Sequence, residues 1–269
     1  MRVHVISDIE GVAGIVRRGQ IGGDLPLYQE ARSLYTEEIN AAVRGAKAAG
    51  ATEIVVMDCH GAGGAWSFNS LIPELLDPGC EFVVQEHWTE YTGFLEQGCD
   101  AALFVGMHAM AGAEHGVMNH TVSGQRWLNL YFNRTLVGET GINAALCGHW
   151  GCPVLLVTGD RAVCDEATPL LGTGLTTVAV KTGLGRFSAR QIAPQRARGL
   201  IEDAARRALG DLKAVAPYDP GRPCEIRVEL TATNATDQYR SKPGVEVVDP
   251  RQIVSRADDW WSAWRQFFF

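Results

Sequence analysis

Four short apolar runs, at 3–8, 53–58, 101–106 and 153–159, are separated by stretches long enough to hold helices. No other feature of the chain limits its fold so tightly. The runs lack strict alternation of apolar and polar residues, which is the pattern of strands covered on both faces. Strands joined by helical crossovers pair in parallel with right-handed connections. Stretch 28–49 supplies one such helix, with Ala31, Leu34, Ile39, Ala42, Val43 and Ala46 near helical spacing and Gly50 to stop it. Stretch 140–150 supplies another, and 127–132 with 135–138 reads as a hairpin turning at Asn133-Arg134. The expectation is an α/β fold with a mostly parallel sheet flanked by helices.

Beyond about Lys181 the pattern changes. An Ala- and Arg-rich helix over 193–209, a Pro- and Gly-bearing stretch over 216–223, a strand over 224–231 and an amphipathic helix from about Ser255 predict a smaller α+β portion. The expected division is an α/β metal-binding catalytic domain at 1–185 and a smaller α+β domain at 186–269 completing the fold. The chain closes on Trp260-Trp261-Ser262-Ala263-Trp264-Arg265-Gln266-Phe267-Phe268-Phe269, aromatic at helical spacing, which suits core packing or a subunit interface.

The first run leads into Asp8-Ile9-Glu10, and Gly11 lets the chain turn. In an extended segment residues two apart face the same way. Both carboxylates would then project together from Cα atoms about 7 Å apart, suited to metal ions about 3.5–4 Å from each other. The second run ends Asp58-Cys59-His60, and the third continues through Gly106-Met107 to His108. Open α/β sheets gather functional groups beyond the carboxyl ends of their strands. Asp8 alone fits a cap or turn, and either histidine alone fits a satisfied rim residue. Three strands delivering carboxylates and two imidazoles to one edge point instead to a metal site.

Glu139 stands where a helix begins, a position that favours a carboxylate; it reads as a first-turn acid or as a fifth ligand. Three carboxylates with a hydroxide would balance two divalent ions. Mixed carboxylate and imidazole ligation suits Zn2+ and admits Mn2+ or Co2+. His120 follows His108 by twelve residues, past a Gly-bearing turn, and an imidazole there can take and return a proton near neutral pH. His115 in the same loop reads as a surface histidine. Asp58 would orient a ligand histidine or cap a strand end. The Gly-rich stretch 61–66 lacks the lysine of a phosphate loop; it forms a cleft wall or a flexible link. Cys59 reads as a small buried hydrophobe.

Charge and cysteine usage exclude several classes. A net charge of −7 argues against nucleic acid or an anionic membrane as partner. No apolar stretch approaches the roughly 20 residues that span a bilayer, and Met1-Arg2-Val3-His4 runs straight into a strand without signal-peptide architecture. The seven cysteines include no Cys-x-x-Cys pair, so neither a disulfide framework nor a zinc knuckle is indicated. A cytoplasmic location is expected.

The segments SDIEGVAG (7–14), MDCHG (57–61), VGMHAMAG (105–112), GVMNHT (116–121) and VGETGINA (137–144) resemble, in order and spacing, peptidase family M55, the DppA-type D-aminopeptidases. The resemblance extends to about residue 185 and weakens beyond it. It implies a dinuclear zinc centre held by Asp8, Glu10, His60, His108 and Glu139, with Asp8 bridging, and His120 as the catalytic histidine rather than a ligand. The implied activity is hydrolysis of short peptides with an N-terminal D-amino acid, such as D-Ala-D-Ala, through a dizinc-activated water. A ring-shaped homo-oligomer, a decamer, is implied as well. Two other readings stay open. The same dizinc hydrolase would act on L-aminoacyl, β-peptide or other amide substrates if the wall segment Gln85-Glu86-His87-Trp88 differs. A non-catalytic peptide- or metal-binding protein is the other, disfavoured by His120 beside a full ligand set.

Overall fold

The computed structural model describes residues 1–23 and 26–268, so Phe269 of the aromatic tail lies outside the described residues. In chain order the elements are β1 (Arg2–Ser7), α1 (Pro26–Ala48), β2 (Glu53–Asp58), β3 (Glu81–Val83), α2 (Gly93–Glu96), β4 (Ala101–Met107), β5 (Trp127–Phe132) and β6 (Thr135–Val137). Then follow α3 (Glu139–His149), β7 (Val154–Asp160), α4 (Arg161–Leu171), β8 (Thr176–Gly185), β9 (Ser188–Gln191), α5 (Pro194–Ala208), β10 (Cys224–Leu230), β11 (Val245–Asp249), β12 (Gln252–Ala257) and α6 (Trp260–Arg265).

Seven strands form the first sheet in the order β3-β2-β1-β4-β7-β8-β9, parallel throughout except for β9. This is the mostly parallel, helix-flanked sheet that the apolar runs predict. Strands β4 and β7 are buried along their whole length, as strands covered on both faces must be. Helix α1 packs on α5, and α4 packs on β7 and β8. From β1 the chain crosses through α1 to β2 on one side, while β4 lies on the other side of β1. The winding therefore reverses between β1 and β4, where a crevice opens beyond the carboxyl ends of the strands.

Two glycines let that crevice form. The Asp8 N–H donates to the Val105 carbonyl at 2.9 Å and the Gly11 N–H to the Gly106 carbonyl at 2.8 Å, so the turn after β1 lies directly on β4. Gly106 has φ +72, and a Cβ there would sit 2.1 Å from the Asp8 carbonyl oxygen. A Cβ on Gly11 would fall 1.9 Å from the Met107 carbonyl oxygen. No side chain fits at either position.

The second sheet is antiparallel, in the order β11-β12-β10-β5-β6. Strand β10 alternates, burying Cys224, Ile226, Val228 and Leu230 while Glu225, Arg227 and Glu229 stay partly exposed. Its apolar face meets α6, where Trp260 and Trp264 pack edge-on against Phe132. Sheet membership crosses residue 185. Strand β9 and helix α5 from beyond it join the first sheet and α1, while β5 and β6 from before it pair toward β10.

The amphipathic helix expected from Ser255 is corrected by this sheet. Ser255 lies in β12 opposite Ile226, because the β-branched pair Ile253-Val254 is buried there. The helix begins only at Trp260, where the Asp259 carboxylate accepts the Ser262 N–H at 2.9 Å. Among the described residues no helix is long and apolar enough to cross a membrane.

Candidate active site

Strand β1 ends at Ser7, so Asp8 and Glu10 occupy a turn rather than an extended segment. Strand spacing therefore does not align the two carboxylates, contrary to the expectation from sequence. The turn, held on β4 by the two backbone hydrogen bonds, brings both carboxylates to the crevice. Asp8 Oδ1 lies 3.2 Å from His60 Nδ1, and Asp8 Oδ2 lies 3.3 Å from His108 Nε2. Glu10 Oε2 is 3.0 Å from the same His60 nitrogen, and Glu139 Oε1 is 3.4 Å from the same His108 nitrogen. Asp8 thus stands between two clusters, presenting one oxygen to each. Asp8, Glu10, His60 and His108 are all buried.

The other ring nitrogens decide what these clusters can hold. His60 Nε2–H donates to the Ile21 carbonyl at 2.6 Å, and His108 Nδ1–H donates to the Ala109 carbonyl at 2.9 Å. In the neutral form that ligates a metal an imidazole carries one N–H, so His60 Nδ1 and His108 Nε2 would then carry the lone pairs, each facing two carboxylate oxygens. Lone pairs and carboxylates repel at this range unless positive charge, a ring proton or a bound cation, lies between them. Glu10 Oε2 and His108 Nε2 are moreover buried without a hydrogen-bond partner. Imidazole nitrogen and carboxylate oxygen are the donors zinc prefers. The residues present therefore fit divalent cations beside each imidazole.

The electrostatics agree. Burial pushes the Asp8 carboxyl up, but His108 and His60 on its two oxygens outweigh burial and hold it well below the usual carboxylate range. Burial pulls both imidazoles down, yet Glu10 with Asp8 lifts His60, and Glu139 with Asp8 lifts His108, well above the ordinary value. Glu139, also raised by burial, is drawn down by His108 and His120. Positive charge is what this crevice attracts.

The supporting contacts differ from one side chain to the next. Asp58 accepts the backbone N–H of His60 at 3.0 Å, the Tyr35 hydroxyl at 2.9 Å and the Ser70 N–H at 2.5 Å. It therefore caps the strand end and fixes the backbone beneath His60, leaving the ring to the Ile21 carbonyl. His120 stacks on His108 with centroids 4.1 Å apart and planes 15° from parallel. Its Nδ1–H donates to the Met118 carbonyl at 2.9 Å, and its free Nε2 lies 3.6 Å from Glu139 Oε1. His115 is exposed, with Nε2 3.6 Å from Glu114 Oε1. The Cys59 thiol is pushed well up by burial beside Asp58 and stays protonated.

A cavity of about 280 Å³ opens over Asp8, Glu10, His60, His120 and Glu139. Its remaining lining is largely apolar and comes from Phe68, Trp88, Val122, Ile142, Trp264 and Phe268. The aromatic tail is thus partly core and partly cleft wall. Asn143 also lines the cavity; it is buried, and its amide makes no hydrogen bond among the described residues.

Sequence reasoning missed Asn143, although its place one turn after Glu139 puts both on one helix face. It also missed Lys181, whose Nζ donates to the carbonyls of Glu10 at 2.5 Å, Val12 at 2.9 Å and Ile15 at 2.7 Å. Glu38 supports the same turn by accepting the Ala13 N–H at 2.9 Å. The available signal was a lysine inside an apolar strand and a glutamate on the buried face of α1.

Comparison with known proteins gives concordant results. The family model Peptidase_M55, described as D-aminopeptidase, matches residues 1–269. A D-aminopeptidase of Bacillus subtilis (strain 168) is 30% identical over 250 residues, covering 92% of this chain and 88% of that protein. A solved structure, the Zn-dependent D-aminopeptidase DppA from Bacillus subtilis, described as a self-compartmentalizing protease, superimposes with a TM-score of 0.90. That match has 26% sequence identity and covers 99% of this chain and 95% of that chain.

Proposed function

This chain belongs to peptidase family M55, the D-aminopeptidases, and from that premise we propose that it removes the N-terminal D-amino acid from short peptides with the help of two zinc ions. One observation carries the reading: Asp8 offers its two oxygens to two different imidazoles, each of which turns its other ring nitrogen to a backbone carbonyl. Asp8, Glu10 and His60 would hold one ion and Asp8, His108 and Glu139 the other, with Asp8 shared. Bound there, the pair would supply the Lewis acidity that polarises a scissile carbonyl and eases deprotonation of water.

The rest of the reaction falls to the chain's own groups. His120 keeps one proton on the Met118 carbonyl, which leaves Nε2 to take a proton from the attacking water and return it to the leaving amine. Glu139 Oε1 lies 3.6 Å from that nitrogen. Asn143 offers a donor and an acceptor to the peptide backbone and so fixes how the amide enters. The apolar walls exclude bulk water from the reacting bond.

The self-compartmentalizing character of the Bacillus subtilis protein supports the same assembly here, a homo-oligomeric ring, read as a decamer and testable by light scattering. Elemental analysis of the purified protein followed by chelation and zinc add-back tests the chemistry, with hydrolysis of D-Ala-D-Ala and its L-counterpart as the assay. Activity should vanish on chelation, return with zinc and be confined to the D-peptide. Turnover that survives chelation overturns the metal reading, and turnover of L-peptides alone overturns the D-specific one.

A further inference from the structure

The cleft's apolar walls come from opposite ends of the chain. Phe68 follows β2 and Trp88 follows β3; their rings lie 5.1 Å apart, tilted by 48°. Facing them, Trp264 of α6 and Phe268 beyond it lie 5.0 Å apart, also at 48°. Trp264 Nε1–H donates to Glu90 Oε1 at 3.1 Å, which ties the C-terminal wall to the loop that carries Trp88. Core packing accounts for Trp264, which is buried, but not for Phe268 at 37% exposure or Val122 at 41%. These are apolar surfaces turned toward the cleft.

The backbone supplies a second, independent sign. Phe68 has φ 57 and Val122 has φ 58, the left-handed region that bulky and β-branched residues rarely adopt. Such strain persists only where the surroundings enforce it, and it gathers at ligand clamps. Here the enforcing contacts are candidate metal ligands. The Phe68 N–H donates to the His60 carbonyl at 2.8 Å, and the Val122 N–H donates to Glu139 Oε1 at 2.8 Å. The strained wall residues are thereby set in register with the reacting centre.

We infer that the cleft selects peptides bearing a bulky apolar, best an aromatic, side chain beside the scissile bond, and that Phe68, Trp88, Trp264 and Phe268 set this preference. The inference rests on the D-aminopeptidase reading and narrows its substrate class. A methyl group would leave most of this lining uncovered, whereas an aromatic ring can meet both aromatic pairs. In an apolar pocket one methylene already discriminates by roughly 10–200-fold.

The test uses the zinc-loaded full chain and two peptide series, D-Xaa-D-Ala and D-Ala-D-Xaa, with Xaa as Ala, Leu or Phe. In one series kcat/KM should rise by about tenfold or more from Ala to Phe. Phe268→Ala and Trp88→Ala, both at partly exposed positions, should each lower that Phe-to-Ala ratio by about fivefold or more, with zinc content and thermal unfolding recorded alongside. Two flat series, or a ratio unchanged in both variants, overturn the inference while cleavage of D-Ala-D-Ala leaves the D-aminopeptidase reading standing. Failure to cleave any D-peptide overturns both.

Discussion

Replacing Lys181 with Met tests how the turn carrying Asp8 and Glu10 is held. Methionine has similar length and volume but cannot donate, so the carbonyls of Glu10, Val12 and Ile15 lose their shared partner inside the protein. The Glu10 carbonyl is left without a partner among the described residues, at about 1–3 kcal/mol. Val12 keeps the Ile15 N–H at 3.2 Å and Ile15 keeps Gln191 Nε2 at 3.3 Å. Each of these two loses a hydrogen bond to a charged group worth about 1.5–3 kcal/mol, so the total is about 6 kcal/mol. Against this, burial lowers the Lys181 ammonium from 10.5 to about 8. At about 1.36 kcal/mol for each tenfold in the proton equilibrium, the wild type carries about 3 kcal/mol of desolvation at pH 7 that the variant sheds. The net expectation is a variant about 3 kcal/mol less stable, read by urea unfolding of both metal-free proteins at pH 7. Because the turn positions two candidate ligands, zinc affinity measured by chelator competition should weaken by about 10–100-fold. A variant that unfolds at the wild-type urea concentration and binds zinc equally well would refute the reasoning. The turn would then be held by its backbone bonds to β4 and by Glu38.

Three further outcomes follow from the site and the core. Asp8→Asn removes the carboxylate shared by both clusters, and elemental analysis should show at least one zinc ion lost per chain; full occupancy would contradict a bridging role. His120→Ala should lower kcat by about 10²–10⁴-fold with zinc content unchanged, and a parallel loss of zinc would make His120 a ligand. His4 is fully buried, donates through Nδ1 to the Val55 carbonyl at 3.0 Å and is lowered by burial from 6.5 to about 4. Since the unfolded chain takes up this proton first, stability is lost as pH falls from 6.5 toward 4, by up to about 3 kcal/mol. His4→Phe should lack this term, so parallel wild-type and variant stability curves between pH 7 and 4.5 would show the burial argument to be mistaken.

The elements best read from sequence are those whose environment is uniform. Strand β2 coincides with the expected 53–58 run because nearly all of it is buried, and α1 stops before Gly50, whose φ of 89 ends the helix as expected. Pairing between distant segments was not legible. Nothing local in 127–132 or 224–230 says that Phe132 lies opposite Ile226, and that pairing determines the second sheet. The 252–257 segment misled because Ser255 and Arg256 suit a helix as well as a strand, and only the partner strand β10 decides between them. At the site, the gathering of Asp8, Glu10, His60 and His108 followed from strand-end placement, but the means differed. A turn clamped by glycines, not strand periodicity, aligns the carboxylates. Phe68 and Trp264 carried no signal, since a cleft wall is made by surfaces distant in sequence.

The far side of the cleft belongs to α6 and Phe268, whereas every candidate ligand lies at or before Glu139. During synthesis the residues that would bind metal emerge long before the ones that shape the binding of substrate. A growing polypeptide would thus carry its chemistry without its selectivity until the closing helix docks. The latch between Trp264 and Glu90 marks the moment at which the enzyme would become choosy.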